Sequence, residues 1–140
     1  MLQQHLAFIA GFYGDEPDEN GEFPYRYFDA YFHEKGRFPY LLQNDDDTVG
    51  FAMVNRWSET GEPVDFALAE FYILPDFRRR GFAAQGANAL FSRHKGQWQI
   101  KYHVENRPAA LLWNQLTEPY DPRLTKLNEE EEVLSFLIKH

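Results

Sequence analysis

Apolar residues recur in this chain with two different periods, and the changes of period mark out its elements. Leu2, Leu6, Ile9 and Tyr13 stand at i, i+4, i+7 and i+11, which predicts an N-terminal helix closed by Gly11 and Gly14. A second short helix is predicted over RYFDAYFHE, Arg26 to Glu34, before Gly36. Strand patterns follow. FPYLLQ (Phe38 to Gln43) and TVGFAMVNRW (Thr48 to Trp57) flank NDDD, a polar turn suited to a hairpin. VDFALAEFYIL (Val64 to Leu74) is apolar almost throughout, as a central strand covered on both faces would be, and Pro75 ends it.

After RRRG the period turns helical again. Ala83, Ala84, Ala87, Leu90 and Phe91 line one face, with Gly96 as the C-terminal stop. QWQIKYHV (Gln97 to Val104) alternates as a strand. Asn106 is a good N-cap, and Pro108 fits the first turn of a helix whose core face is Ala109, Leu112, Trp113 and Leu116. YDPRLTKLN is ambiguous, and EVLSFLIK reads as a final strand. No repeat or linker divides the chain, so residues 1–140 are expected to form one domain. Strands that meander and then pass into a strand–helix–strand unit imply an α/β (α+β) fold, a mixed sheet with helices on both faces.

Composition narrows the function classes. The chain has no cysteine, which excludes a disulfide framework, thiolate metal sites and a cysteine nucleophile, and fits a cytoplasmic protein. Its 13 Phe, 8 Tyr and 3 Trp allow a sizeable core in a short chain. Fourteen basic against 22 acidic residues give a net charge of −8, which speaks against nucleic acid or anionic membrane as partner. The acid is clumped in DEPDENGE, NDDD and EEEE, runs that suit solvated loops or attraction of a cationic substrate. No apolar run approaches the ~18 residues of a membrane span. The start, MLQQHLAFIAGFYGD, lacks Lys and Arg and does not read as a signal peptide. His5, His33, His94 and His140 show no metal-ligand spacing, so no metal site is expected.

Candidate chemistry centres on FYILPDFRRRGFAAQG, Phe71 to Gly86. A buried strand ends, and a basic loop with one glycine opens a helix. Unpaired N–H groups and the positive end of the helix dipole at such a start suit a phosphate. Gly81 allows close backbone approach, and Arg79 and Arg80 add charge. An ordinary strand-to-helix turn with solvated arginines accounts for the same residues. No dinucleotide fingerprint or P-loop is present.

On these residues the sequence resembles the GNAT superfamily of acyl-CoA-dependent N-acyltransferases. That family's Gln/Arg-x-x-Gly-x-Gly/Ala signature is matched by Arg78, Gly81 and Ala83, with Ile73 as the aliphatic residue five positions ahead. HVENRPAALLWNQL is similar to the family's next strand and helix, and the run as a whole is closest to a subgroup of predicted acetyltransferases. The resemblance covers Phe38 to Leu116 well. It implies a mostly antiparallel sheet and acetyl-CoA as co-substrate. Backbone of Ile73 and Leu74 would pair with the pantetheine arm, N–H groups in the stretch Arg78, Arg79, Arg80, Gly81, Phe82, Ala83 and Ala84 would hold the pyrophosphate, and Asn106 would contact the arm.

The chain departs from the pattern in four places. Trp113 stands where the family often has a general-acid tyrosine, and an indole N–H does not give up its proton. Lys101 stands where some members carry a basic glutamate. Leu116-Thr117 replaces the usual Gly-Phe after the last helix. No counterpart of the first strand precedes Leu2, so the sheet is one strand short or a second copy, as in a homodimer, covers its edge. For a general base Glu70 is the choice, a lone carboxylate in FALAEFYIL; a solvent-facing Glu, or one paired with Lys101 or an arginine, is the alternative. His103 is the next candidate. The expected activity is acetyl transfer to a primary amine, on a small molecule or a peptide, by direct attack on the thioester. The alternative is a module that binds acyl-CoA without catalysis.

Overall fold

The computed structural model describes residues 18–19 and 30–139. The helix expected over Leu2 to Tyr13, and with it the first-strand expectation, lies outside them. Of Arg26–Glu34, the described part forms a short helix, α1 (Ala30–His33). Six strands follow in one sheet: β1 (Arg37–Asn44), β2 (Asp47–Asn55), β3 (Phe66–Ile73), β4 (Gly96–His103), β5 (Arg123–Lys126) and β6 (Glu131–Ile138). Their spatial order is β1-β2-β3-β4-β6-β5. Helix α2 (Phe82–Arg93) links β3 to β4, and α3 (Arg107–Thr117) follows β4.

All neighbouring strands are antiparallel except β3 and β4. That exception follows from the crossover: a helix between two strands returns the chain to the end from which it began. The expected mixed, mostly antiparallel α+β architecture is therefore present. Two details differ from the sequence reading. Asn44 pairs with Asp47, so the hairpin turn is the two residues Asp45 and Asp46, with Asp45 left-handed at φ 54°. The ambiguous YDPRLTKLN contains β5, which pairs with β6 at the edge of the sheet.

Gly96 also does a different job from the one expected. Helix α2 ends at Arg93, and Gly96 opens β4 instead. A Cβ there would lie 2.5 Å from the Asp65 carboxylate, which accepts the Gln97 N–H at 2.8 Å. The glycine makes room for that bond.

The two sheet faces carry separate cores. Leu90 and Phe91 of α2 and Trp113 of α3 pack on Val54, Phe66, Leu68, Trp98, Ile100, Leu134 and Phe136. Phe91 meets Trp98, Tyr120 and Phe136 edge to face at 5.2–6.1 Å, contacts worth about 0.5–1.5 kcal/mol each beyond burial. The opposite face buries Tyr31 of α1 with Phe51, Met53 and Tyr72. Helices thus lie on both faces.

His94, which caps α2, sits inside the aromatic cluster. Its ring centroid is 4.6 Å from Phe66 and 4.8 Å from Phe38, and its Nε2 lies 2.5 Å from the Tyr40 hydroxyl. Its carbonyl accepts the Trp98 indole N–H at 2.7 Å. Burial, with Arg93 and Arg56 nearby, holds its pKa below the ordinary histidine value. A folded-state pKa below the unfolded ~6.5 means the unfolded chain binds the extra proton, so this stabilisation is complete above pH ~6.5 and shrinks below it. Thermal melts should therefore show stability falling from pH 7 to pH 5. His94→Phe, which puts a non-titrating aromatic ring in its place, should flatten that slope; an unchanged slope would assign the acid sensitivity to other groups.

Candidate active site

The site is built where the sheet comes apart. β3 and β4 pair only through Phe66↔Trp98, Ala67↔Gln99 and Leu68↔Ile100. Beyond Leu68 and Ile100 no ladder joins them, and a wedge opens between Ala69–Ile73 and Lys101–His103. A bulge marks the start of the opening. Val54 faces Leu68 and Met53 faces Glu70, which leaves Ala69 as an extra residue on β3. Such a residue bends its strand and adds twist, so β3 stays with β2 and turns from β4.

The bulge also resets the side-chain alternation. Phe66 and Leu68 face α2 and α3 before it; Phe71 takes up that face after it. Glu70 and Tyr72 then share the opposite face with their cross-strand partners Met53 and Phe51. Glu70 is half-buried on the lip of the wedge. On β4, Ile100 and Tyr102 belong to the helix-side core, so Lys101 and His103 point to Glu70's face.

Because β3 and β4 are parallel, their C-terminal ends lie at one end of the sheet, where open α/β sheets bind ligands. There the β3 ladder runs on through the Leu74 N–H to the Val49 carbonyl at 2.8 Å. A 3₁₀ turn, Pro75–Phe77, leads into the basic loop. Arg78 clamps that loop to the strand. Its Nε donates to the Ile73 carbonyl at 2.9 Å, and its guanidinium lies over Tyr72 at 5.2 Å. Arg79 and Gly81 are both left-handed, with φ 64° and 81°. Alternating handedness around Arg80 turns successive N–H groups toward one concave side, the geometry from which anion nests are built. Gly81 caps α2 without a side-chain bond, and the loop from Arg78 to Gly81 is exposed. Phe82, Ala83 and Ala84 form the first turn of α2, whose N–H groups have no intrahelical acceptor.

Asn106 stands on the other side of the wedge, after β4. It caps α3 as expected, its Oδ1 accepting the Ala109 N–H at 3.4 Å, while its amide nitrogen is a donor. Trp113 is a core residue at 5% exposure, and its ring meets Phe71 edge to face at 5.1 Å on the helix side of the wedge. Glu70, Ile73, Leu74 and the Arg78–Ala84 loop thus follow the parted end of β3, and Asn106 follows the parted end of β4.

His103 is held in a structural setting. Its Nδ1 accepts the Glu105 N–H at 3.1 Å, and its Nε2 lies 3.8 Å from the Glu130 carboxylate. Lys101 pairs with other carboxylates than Glu70: its Nζ lies between Glu59 at 3.2 Å and Glu131 at 3.3 Å. Burial pushes its pKa down, but the two carboxylates outweigh that and hold it above the ordinary lysine value. This triad escaped the sequence reading. Alternation in QWQIKYH puts Gln99, Lys101 and His103 on one face, but nothing local names partners from a loop and from β6. Tyr102, on the other face, donates to Glu132 and accepts from Asn114, both at 3.0 Å. Burial and Glu132 raise its pKa. Among the described residues no group of three or more His, Asp or Glu is placed to hold a metal, and no helix is long and apolar enough to cross a membrane.

The fold has solved counterparts. An acetyltransferase from Thermus thermophilus superposes with a TM-score of 0.65 at 16% identity, over 80% of this chain and 71% of that one. The ribosomal-protein-S18-alanine N-acetyltransferase of Escherichia coli gives 0.64 at 12% identity, over 94% and 87%. A GNAT family acetyltransferase from Elizabethkingia anophelis, with acetyl-CoA bound, gives 0.58 at 12%, over 81% and 83%. No curated protein matches the sequence. The acetyltransferase (GNAT) family matches residues 6–117, which takes in the wedge, the basic loop and α3 together, and the chain belongs to that acetyl-CoA-using family of acetyltransferases.

Proposed function

We propose that the protein is an acetyl-CoA-dependent N-acetyltransferase acting on a primary amine of a small molecule or peptide. The observation that carries this reading is the wedge between β3 and β4, with a basic loop of alternating handedness at its mouth and a carboxylate on its lip. The residues present fit acetyl-CoA. The β3 edge that has left β4 offers main-chain groups of alternate residues to an extended pantetheine arm, with Ile73 nearest the loop, since the Leu74 N–H is already bonded to the Val49 carbonyl. N–H groups from Arg79 to Ala84 face the pyrophosphate, with Arg79 and Arg80 adding charge, and Arg78 holds the loop in place. Asn106 donates to the arm from the opposite side. Acetyl-CoA supplies an activated acetyl thioester. A main-chain N–H at Ile73 would polarise its carbonyl, Glu70 would take the proton of the attacking amine, and the CoA thiolate would leave as the amide bond forms. Trp113 walls the helix side and donates no proton.

A second reading keeps the binding and drops the catalysis, favoured by Trp113 at the tyrosine position and by Lys101 in an ion-paired triad. Incubation with acetyl-CoA and a panel of amines, followed by assay of free thiol, separates the two. Thiol release that depends on the amine supports the transferase; a raised melting temperature without release supports the module; neither result sinks both. A homodimer is part of the proposal, because β1 ends the sheet among the described residues and exposes Leu41 at 63%. A pure monomer by sedimentation at high concentration would remove it. A cytoplasmic setting accords with a chain devoid of cysteine.

A further inference from the structure

The face on which Glu70 stands carries a second feature that the transfer reaction leaves unexplained. Lys101 is one residue past the last β3–β4 pair, on the parted stretch of β4, and faces the same side of the sheet as Glu70. Its ammonium is held by a carboxylate from each side, Glu59 at 3.2 Å and Glu131 at 3.3 Å. All three side chains are partly open to solvent, at 33%, 25% and 15% for Lys101, Glu59 and Glu131.

Neither glutamate is placed by chance. Glu131 is fixed by the β4–β6 ladder opposite His103. Glu59 sits on a strap, Ser58 to Glu62, that crosses this face and is tied down by Gln99. The Gln99 side-chain Oε1 accepts the Glu59 N–H at 2.7 Å, and its Nε2 donates to the Thr60 hydroxyl at 2.9 Å. The far end of the strap is held by the Glu62–Arg123 ion pair. Two carboxylates fixed a few ångströms apart beside the lip of the wedge form the kind of subsite that holds the distal ammonium of a diamine.

We propose that Lys101 is a specificity-determining residue: its ammonium fills a two-carboxylate subsite beside the acceptor's entrance, so that the enzyme selects acceptors with one cationic amine over those with a second. This rests on the reading that the amine enters on Glu70's face. A second ammonium arriving here meets a charge of its own sign and finds both carboxylates taken. The chain's net acidity would by itself favour polyamines, and Lys101 is the residue that works against that at close range.

The test compares a primary alkylamine with the α,ω-diamine of the same length, in the wild type, Lys101→Met and Lys101→Arg. Removing the ammonium takes away the cation shared by the two carboxylates, and the ratio of kcat/KM for diamine over monoamine should rise roughly tenfold or more, as expected for one new charge-assisted hydrogen bond. Lys101→Arg keeps the charge and should keep the wild-type ratio. Adding Glu59→Gln to Lys101→Met should cancel most of the gain. An unchanged ratio in Lys101→Met, or an equal rise in Lys101→Arg, overturns the proposal. Melting temperatures measured with each amine, without acetyl-CoA, read the subsite directly: the diamine should stabilise Lys101→Met and not the wild type. That arm stands even if no amine releases thiol, an outcome that would overturn the transferase reading and leave the subsite decided by the melts; absence of any diamine effect in the melts together with folded Lys101→Met protein would overturn the subsite itself.

Discussion

Glu70→Gln should lower kcat/KM by about 10²–10⁴-fold at pH 7, the usual contribution of a general base. The loss should fade toward pH 9–10. The reason lies in the acceptor. An alkyl ammonium with a pKa of ~10.4 is almost wholly protonated near neutrality, so a group that takes its proton decides the rate. At high pH free amine is already present and the base is dispensable. The leaving thiolate, with a cysteine-like pKa of ~8.5, departs without needing an acid. Trp113→Phe should then cost little activity at any pH, because the ring's contribution is its packing on Phe71. The position of Glu70 agrees with this division of labour. The bulge at Ala69 turns it to the face opposite α2 and α3, away from Trp113. A pH-independent loss would make Glu70 a structural carboxylate. His103 would then be the next group to test, although its contacts with the Glu105 N–H and Glu130 suit it to holding the β4 end in shape.

The elements that read clearly in the sequence are those whose apolar period has only one explanation. Helix α2 shows it best: Ala87, Leu90 and Phe91 were expected on the core face and are buried there. Helix α3 adds an unambiguous cap, since Asn106 followed by Pro108 fits a helix start and little else. β5 was unreadable because four residues, RLTK, at a sheet edge bury almost nothing and leave no alternation to detect. The wedge was hidden for the opposite reason. β3 is apolar on both faces, so inserting Ala69 changes no visible pattern, and the register that moves Glu70 to its face exists only in the pairing with β2. The loop was legible as a possible anion site from its arginines and Gly81. What sequence could not supply was the division among the arginines, with Arg78 spent on Ile73 and Tyr72 while Arg79 takes the left-handed position. Ion pairs across long separations, such as Lys101 with Glu59 and Glu131, are decided by topology and leave no local trace.

That left-handed loop gives the second large effect. Acetyl-CoA at 100-fold its dissociation constant should stabilise the wild type by about 2.7 kcal/mol, read as a rise in melting temperature, and Gly81→Val should abolish the rise. Gly81 has φ 81° and ψ 4°, a conformation that a β-branched residue avoids. A Cβ added there would meet nothing within 4 Å, so valine clashes with no neighbour and the penalty lies in the backbone alone. Holding an L-residue left-handed costs roughly 1–2 kcal/mol, and an exposed loop escapes that cost by rotating φ. The rotation turns the N–H groups of Gly81 and Phe82 away from a shared anion, which removes the binding site and leaves the buried core intact. Gly81→Asn separates conformation from side-chain bulk, because asparagine tolerates the left-handed region; it should retain most of the shift. If Gly81→Val kept the full shift while Arg79→Ala and Arg80→Ala did too, acetyl-CoA would have to be held elsewhere. If the valine variant lost the shift and asparagine restored it, the alternating turn at the head of α2 would be established as the phosphate site.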